Sequence, residues 1–271
     1  MPIVLKSRRE IEMMRQAGKV LMPIVEKMRA ACTAGTTTRE IDDIARLEIE
    51  KVGAISPIKN YPSGKPNEGF PGYTCISINE EVVHGIPGPR KLKDGDVVKI
   101  DAAIILNGYC ADTATTVVVG RITPKVQKLL DVTKQTLELA IQNIKPDKKW
   151  SDVARLIQWN VERHGFSVVR EFVGHGVGRT MHEEPKVPNF VTPEQLRGDF
   201  RLKVGTTIAV EPMVVMGKRE VVLLDDQWTV VTEDRQPAAH FEHTIAVTET
   251  GCEILTNGSS NGALMAEPRL A

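Results

Sequence analysis

Two aspartates, Asp101 and Asp112, lie within a run of otherwise strand-forming residues, DVVKIDAAIILNGYCADTATTVVVG, from Asp96 to Gly120. Asn107-Gly108 between them is the strongest short-range hairpin signal a sequence carries. A two-residue type I′ turn there sets Leu106 opposite Tyr109 and Asp101 opposite Ala114, with Asp112 the diagonal neighbour of Asp101. Alternation with period two then sends both carboxylates to one face of the ladder, roughly 7–8 Å apart at the backbone and less at the tips. Two carboxylates emerging together from apolar strands cannot both stay ionised without a compensating cation. A metal ion is the simplest compensation, and its other ligands must come from elsewhere in the chain.

The chain offers them through an internal repeat. KLKDGDVVKID (91–101) aligns without gaps on RLKVGTTIAVE (201–211), which pairs Asp101 with Glu211. DDIARL (42–47) resembles SDVARL (151–156), and VHGI (83–86) resembles GHGV (174–177). Three matches in one order imply two similar halves, about 8–120 and 124–256, related by a pseudo-twofold. The expected fold is α/β (α+β): a single domain over 1–256, with strands of both halves in a mainly antiparallel sheet and helices covering one face. A site on the pseudo-axis would draw ligands from both halves. The small, polar tail 257–271 is expected to be partly disordered.

The elements that must position such a site follow from local pattern. Residues 7–31 carry apolar residues at helical spacing, with Ser7 as N-cap and Glu10 three residues on. Pro23 is expected to kink or split that helix. Thr38–Val52 reads as a second amphipathic helix, 56–73 as an irregular loop, and Thr74–Asn79 as a strand. Beyond the hairpin come a long helix from Pro124, another at Trp150–Arg163, and a mostly strand-like stretch, 204–255.

Glu211 stands in IAVEPMVV, where a lone charge is costly; the alternative is a strand end with Glu211 in solvent. Glu242, in HFEHTIAV, is either a further ligand or a surface-facing strand residue. His175 lies between glycines, as a ligand or as a structural histidine of a turn. Together, four acids and one imidazole suit manganese, iron(II), cobalt or zinc. Five ligands are too many for one catalytic zinc but enough for two ions about 3.5–4 Å apart. His84 and His182 are candidates for substrate contact or proton transfer. His164 ends a helix, and of His240 and His243 one is expected to be exposed.

The totals exclude several classes. The 35 basic and 35 acidic residues of the 271-residue chain balance, which argues against a dedicated nucleic-acid or membrane-surface binder. The opening MPIVLKSRREIEMM is too short in apolar residues for a signal peptide or a membrane span. Four scattered cysteines, Cys32, Cys75, Cys110 and Cys252, read as free thiols of a reducing cytosol, and none has an activating histidine beside it. Neither a G-x-S-x-G, a Walker loop nor a dinucleotide fingerprint occurs.

The segments ISINEEVVHGIPG, KIDAAIILNGYCADTATT, GHGVGRTMHEEP, AVEPMV and FEHTIAVT, in this order, resemble the type I methionine aminopeptidases of the bacterial or organellar kind. The resemblance covers residues 3–256 and implies the pita-bread fold, two αβ halves around a dinuclear metal site. It implies Asp101, Asp112, His175, Glu211 and Glu242 as metal ligands, with Asp112 and Glu242 bridging. It implies His84 and His182 as substrate contacts that stabilise the tetrahedral intermediate, and Glu211 as the proton shuttle. Phe70, Cys75, Met181 and Trp228 would line the methionine pocket, Met181 departing from the aromatic residue often found there. The activity implied is removal of the initiator methionine before a small second residue, with two divalent ions. The implied partners are N-terminal methionyl peptides and nascent chains at the ribosome, with neither sequence-specific nucleic acid nor membrane, for a cytoplasmic monomer. A proline-specific relative or a non-catalytic binding protein of the same fold is the alternative. Only residues 183–210 separate His182 from Glu211, too few for the helical insertion of the type II enzymes.

Overall fold

The structure, a computed structural model, describes residues 2–63 and 69–258. Residues 64–68 of the expected loop, and 259–271 of the expected tail, lie outside the described residues. Two helices open the chain, α1 (Arg8–Ala31) and α2 (Thr38–Lys51). Each starts on a capping box, Ser7 with Glu10 and Thr37 with Glu40, in which hydroxyl and carboxylate satisfy two otherwise orphaned N–H groups. Pro23 does not split α1, which runs unbroken for 24 residues. Leu21, Ile24, Val25 and Met28, on both sides of the proline, are buried in one core while Pro23 itself faces solvent. That shared burial offsets a helix-interior penalty of about 3 kcal/mol.

Next come β1 (Cys75–Ile78), β2 (Glu81–Val83) and the long hairpin β3 (Val97–Leu106) and β4 (Tyr109–Val118). The hairpin has the expected register, Leu106 with Tyr109, Asp101 with Ala114 and Ala103 with Asp112. Asn107 and Gly108 both have positive φ, 51° and 80°, as a type I′ turn requires. Helices α3 (Pro124–Gln142) and α4 (Trp150–Arg163) then precede β5 (Ser167–Val168), β6 (Gly174–Gly176), β7 (Glu183–Val187) and the single-turn α5 (Pro193–Arg197). The chain closes with β8 (Thr207–Val210), β9 (Met213–Val215), β10 (Val221–Leu223), β11 (Val230–Thr232), β12 (Ala238–His240), β13 (His243–Val247) and β14 (Cys252–Ile254).

All the described strand pairs are antiparallel, in the orders β1-β3-β4, β10-β11-β2, β12-β9-β5 and β14-β13-β8-β6-β7. Strand β2 of the early chain thus pairs with β11 of the late chain. A second seam joins β4 to the β12–β13 segment through threonine hydroxyls. Thr113 Oγ1 donates to Glu242 O (2.7 Å), Thr116 Oγ1 to His240 O (2.6 Å) and Thr244 Oγ1 to Asp112 O (2.7 Å). The backbones of Asp112 and Glu242 are therefore tied by threonine hydroxyls across this seam.

The repeated segments fold alike. Leu92 and Leu202 are both buried, their N–H groups donating to Thr36 O and Lys148 O. Gly95 and Gly205 both turn left-handed, at φ 93° and 89°, and donate to Val119 O and Val247 O. Asp101 and Glu211 close these two equivalent stretches. No described helix is long and apolar enough to cross a membrane.

Candidate metal centre

A cavity of about 290 Å³ opens where the two seams meet, and its wall includes Asp101, Asp112, His175, Glu211 and Glu242. Asp112, His175 and Glu242 offer ligand atoms that all lie within 4.8 Å of one another. Glu211 Oε1 lies 3.4 Å from His175 Nε2, and Asp112 Oδ2 lies 3.8 Å from the same nitrogen. Asp101 sits on the wall beside them, where Glu211 helps to raise its pKa. The strand alternatives for the glutamates do not hold: Glu211 and Glu242 are 8% and 2% exposed.

Each side chain is placed by its backbone. Asp101 and Asp112 come from adjacent strands of the hairpin, and Cys75 is the cross-strand partner of Asp101 on the other side. Glu211 follows β8, its carbonyl held by Asn189 Nδ2 at 2.9 Å. Glu242 occupies the break between β12 and β13, its N–H donating to Ala114 O at 2.9 Å. His84, just past β2, has a φ of 58°, and Gly85 behind it packs so closely on β1 that a Cβ would lie 2.4 Å from Ile76 O. His182 precedes β7, and its ring meets that of His175 edge-on, centroids 4.2 Å apart.

The electrostatics favour a cation at this site. Burial pushes Glu211 up to about 8 and Asp101 up to about 6. Burial, and then the neighbouring acids, hold Asp112 and Glu242 well above the usual carboxylate range. Asp112 Oδ1 and Glu242 Oε1 are buried without a hydrogen-bond partner. The histidine supplies the sharper test of fit. His175 Nδ1 faces Gly176 O at 3.0 Å, a carbonyl that can only accept, so Nδ1 carries the proton. Burial also lowers its pKa to about 3, so the ring is neutral and Nε2 presents a lone pair. That lone pair faces two carboxylates across 3.4 and 3.8 Å. Acceptors converging on acceptors are repulsive unless protons or positive ions lie among them, and this donor set of oxygens with one imidazole fits a divalent metal that would displace those protons.

The pocket residues named from the resemblance, Phe70, Cys75, Met181 and Trp228, all line the cavity, as do His84 and His182. Phe70 and Trp228 meet edge-on at 5.2 Å. Asp226 builds the turn that presents Trp228, accepting from the N–H groups of Trp228 (2.9 Å) and Thr229 (2.8 Å). Burial lowers the pKa of His182 and takes that of His84 down to about 4, so both rings are neutral at pH 7.

One expectation is corrected. Neither His240 nor His243 is exposed: His240 is 1% exposed and lines the cavity, and His243 binds Thr256 through Nδ1. The chain passes from one sheet to another between β12 and β13, so both faces of this segment are covered. His240 Nε2 lies 3.5 Å from Glu211 Oε2. Its place two residues before Glu242, on the same strand face at period two, was the available signal. Tyr61, whose hydroxyl reaches His182 Nδ1 at 2.8 Å, had no such signal, because it sits in the irregular loop.

Comparison with known proteins agrees with this geometry. The model of metallopeptidase family M24 matches residues 12–249. Methionine aminopeptidase 1 of Bacillus subtilis is 48% identical over 94% of this chain and 99% of its own length. The methionine aminopeptidase of Clostridium perfringens is 46% identical over 94% and 98%. A crystal structure of methionine aminopeptidase from Thermotoga maritima superposes with a TM-score of 0.88 at 40% identity, covering 94% of this chain and 100% of that one. Prolidase from Pyrococcus horikoshii, 21% identical with a TM-score of 0.74, shares the fold. These matches define an M24 metallopeptidase with the pita-bread architecture. Within that class, the chain belongs to the methionine aminopeptidases.

Proposed function

We propose that this protein hydrolyses the first peptide bond of polypeptides that begin with methionine and continue with a small residue, using two divalent ions. The observation that supports this best is the neutral imidazole of His175 with its lone pair turned toward buried carboxylates. Asp101, Asp112, His175, Glu211 and Glu242 would hold the ions. Cobalt, manganese, iron(II) and zinc all suit these donors. When bound, such ions supply Lewis acidity at the scissile carbonyl and lower the pKa of water.

The chain's own groups do the rest. Glu211 takes a proton from the attacking water and returns it to the leaving amine. His84 and His182, kept neutral by burial, donate to the oxygen as its charge develops. Phe70, Trp228, Met181 and Cys75 receive the thioether side chain, which packs well on aromatic edges. A tight wall beyond the scissile bond limits the second residue. The catalytic unit is residues 1–256 in two halves, 8–120 and 124–256, acting as a cytoplasmic monomer on methionyl peptides and on nascent chains at the ribosome.

The direct test is release of free methionine from Met-Gly-Met-Met with each of the four metals added in turn. Release with at least one metal, and none from the same peptide with an acetylated amine, supports the reading. Folded protein that releases nothing with any of the four overturns it.

A further inference from the structure

Lys6 is a buried cation that no step of the proposed reaction uses. Its Nζ lies 2.7 Å from Glu183 Oε2 and 3.0 Å from Val4 O, and its side chain is only 4% exposed. Its backbone N–H is fixed as well, donating to Gly205 O at 2.7 Å. The partner carboxylate closes a tight bend. Glu183 Oε1 accepts from the N–H of Arg179 (2.8 Å) and of Thr180 (3.3 Å). Within the bend, Gly178 N–H donates to Thr180 O (3.1 Å) and Thr180 Oγ1 to His182 O (3.1 Å). Gly178 O accepts from Cys110 N–H at 2.7 Å, which ties the bend to β4. There is no slack where the pair passes: a Cβ on Gly178 would lie 2.4 Å from Glu183 Oε1 and 2.5 Å from Lys6 Cε.

This bend carries Met181 and His182, both on the cavity wall. Burial by itself would raise the pKa of Glu183, but Lys6 and the two backbone donors outweigh it and keep the carboxyl ionised. The anchor is thus a charge-assisted bond between groups 177 positions apart in the chain.

We propose that Lys6 is a positioning residue, acting through Glu183 to hold His182 and Met181 at the cavity, so that the N-terminal arm is part of the site. What the held residues do rests on the aminopeptidase reading; the clamp itself does not.

Two readouts separate them, hydrogen exchange of the 178–183 segment and steady-state kinetics on Met-Gly-Met-Met. Lys6→Met is expected to speed exchange in 178–183 by about tenfold, leaving α3 and α4 unchanged. It lowers kcat/KM by about ten- to a hundredfold with unchanged metal affinity, because neither clamp residue touches a proposed ligand. Lys6→Arg, which keeps the charge, restores most of both. If Lys6→Met folds poorly, Lys6→Met with Glu183→Gln removes both charges, strands neither, and carries the same expectations. Exchange that is unchanged in 178–183, or that rises equally everywhere, overturns the clamp. Local exchange that rises in a protein whose wild type releases no methionine supports the clamp and removes the aminopeptidase reading.

Discussion

The phenolic oxygen of Tyr61 lies 2.8 Å from Nδ1 of His182, and the two rings stand edge-on with centroids 5.3 Å apart. Tyr61 is held from its backbone, donating to Ile58 O and accepting from Phe70 N–H, both at 2.9 Å. A hydroxyl donating to Nδ1 leaves the imidazole proton on Nε2, the tautomer able to donate into the cavity. Tyr61→Phe removes the hydroxyl and keeps the ring. The expected result is a fall in kcat of about tenfold, with KM and thermal midpoint little changed. Unchanged kcat would show that other contacts suffice to orient His182.

Asp112 is packed among Asp101, Glu211 and Glu242, and one of its oxygens has no partner. Asp112→Asn removes a ligand and a group that can ionise when metal binds. Metal affinity and methionine release are expected to fall in parallel, by more than about a hundredfold. The metal-free variant is meanwhile expected to be no less stable than metal-free wild type, since a neutral amide replaces a carboxyl whose charged form this buried site disfavours. Calorimetric metal titration with denaturant unfolding checks both halves; wild-type turnover in the variant would move the site elsewhere.

The stability of the metal-free protein should fall as pH rises from about 7 to about 8. Glu211 titrates at about 8 in the fold, and Asp112 and Glu242 lie well above their ordinary values, whereas the unfolded carboxyls titrate near about 4. The folded state therefore retains protons that the unfolded chain has lost. His84, His240 and His243, lowered to about 4, and His175, lowered to about 3, work in the opposite sense, chiefly around and below the unfolded histidine value of about 6.5. Above it the histidine effect fades, and Lys99, lowered to about 7 by burial, opposes with one proton against the several that the carboxyls retain, each worth about 1.4 kcal/mol per pH unit. Manganese or cobalt displaces those protons and should flatten or reverse the slope. Urea unfolding of chelator-treated protein at several pH values measures it; stability that rises over this window contradicts the buried-carboxyl account.

Gly85 holds His84 at the cavity by close approach. A Cβ there would lie 2.4 Å from Ile76 O and 2.7 Å from the Ser77 Cα, both backbone atoms that cannot rotate away. Gly85→Ala is expected to cost about 1–3 kcal/mol of stability. It should also lower kcat/KM, because His84 is displaced with its backbone. Thermal unfolding and kinetics at a permissive temperature test this, and an alanine tolerated in both would mean that β1 and β2 can separate freely.

Much of the site was legible in the chain itself. Asn107-Gly108 set the register of the long hairpin, because a two-residue I′ turn allows only one pairing, and that register put Asp101 and Asp112 on one face. The match of 91–101 to 201–211 carried the argument to Glu211, because repeated turn glycines and a repeated buried leucine impose the same local path twice. The capping residues of α1 and α2 were equally local. Other features were decided only in three dimensions. Whether Pro23 broke α1 depended on the core beneath it. The burial of His240 depended on where the chain changed sheets. Tyr61 meets His182 across 121 positions, and Lys6 meets Glu183 across 177. Periodicity and turn chemistry specify contacts within an element and its immediate partner. Contacts between distant loops exist only once packed elements fix the distances between them, so residue type alone does not reveal them.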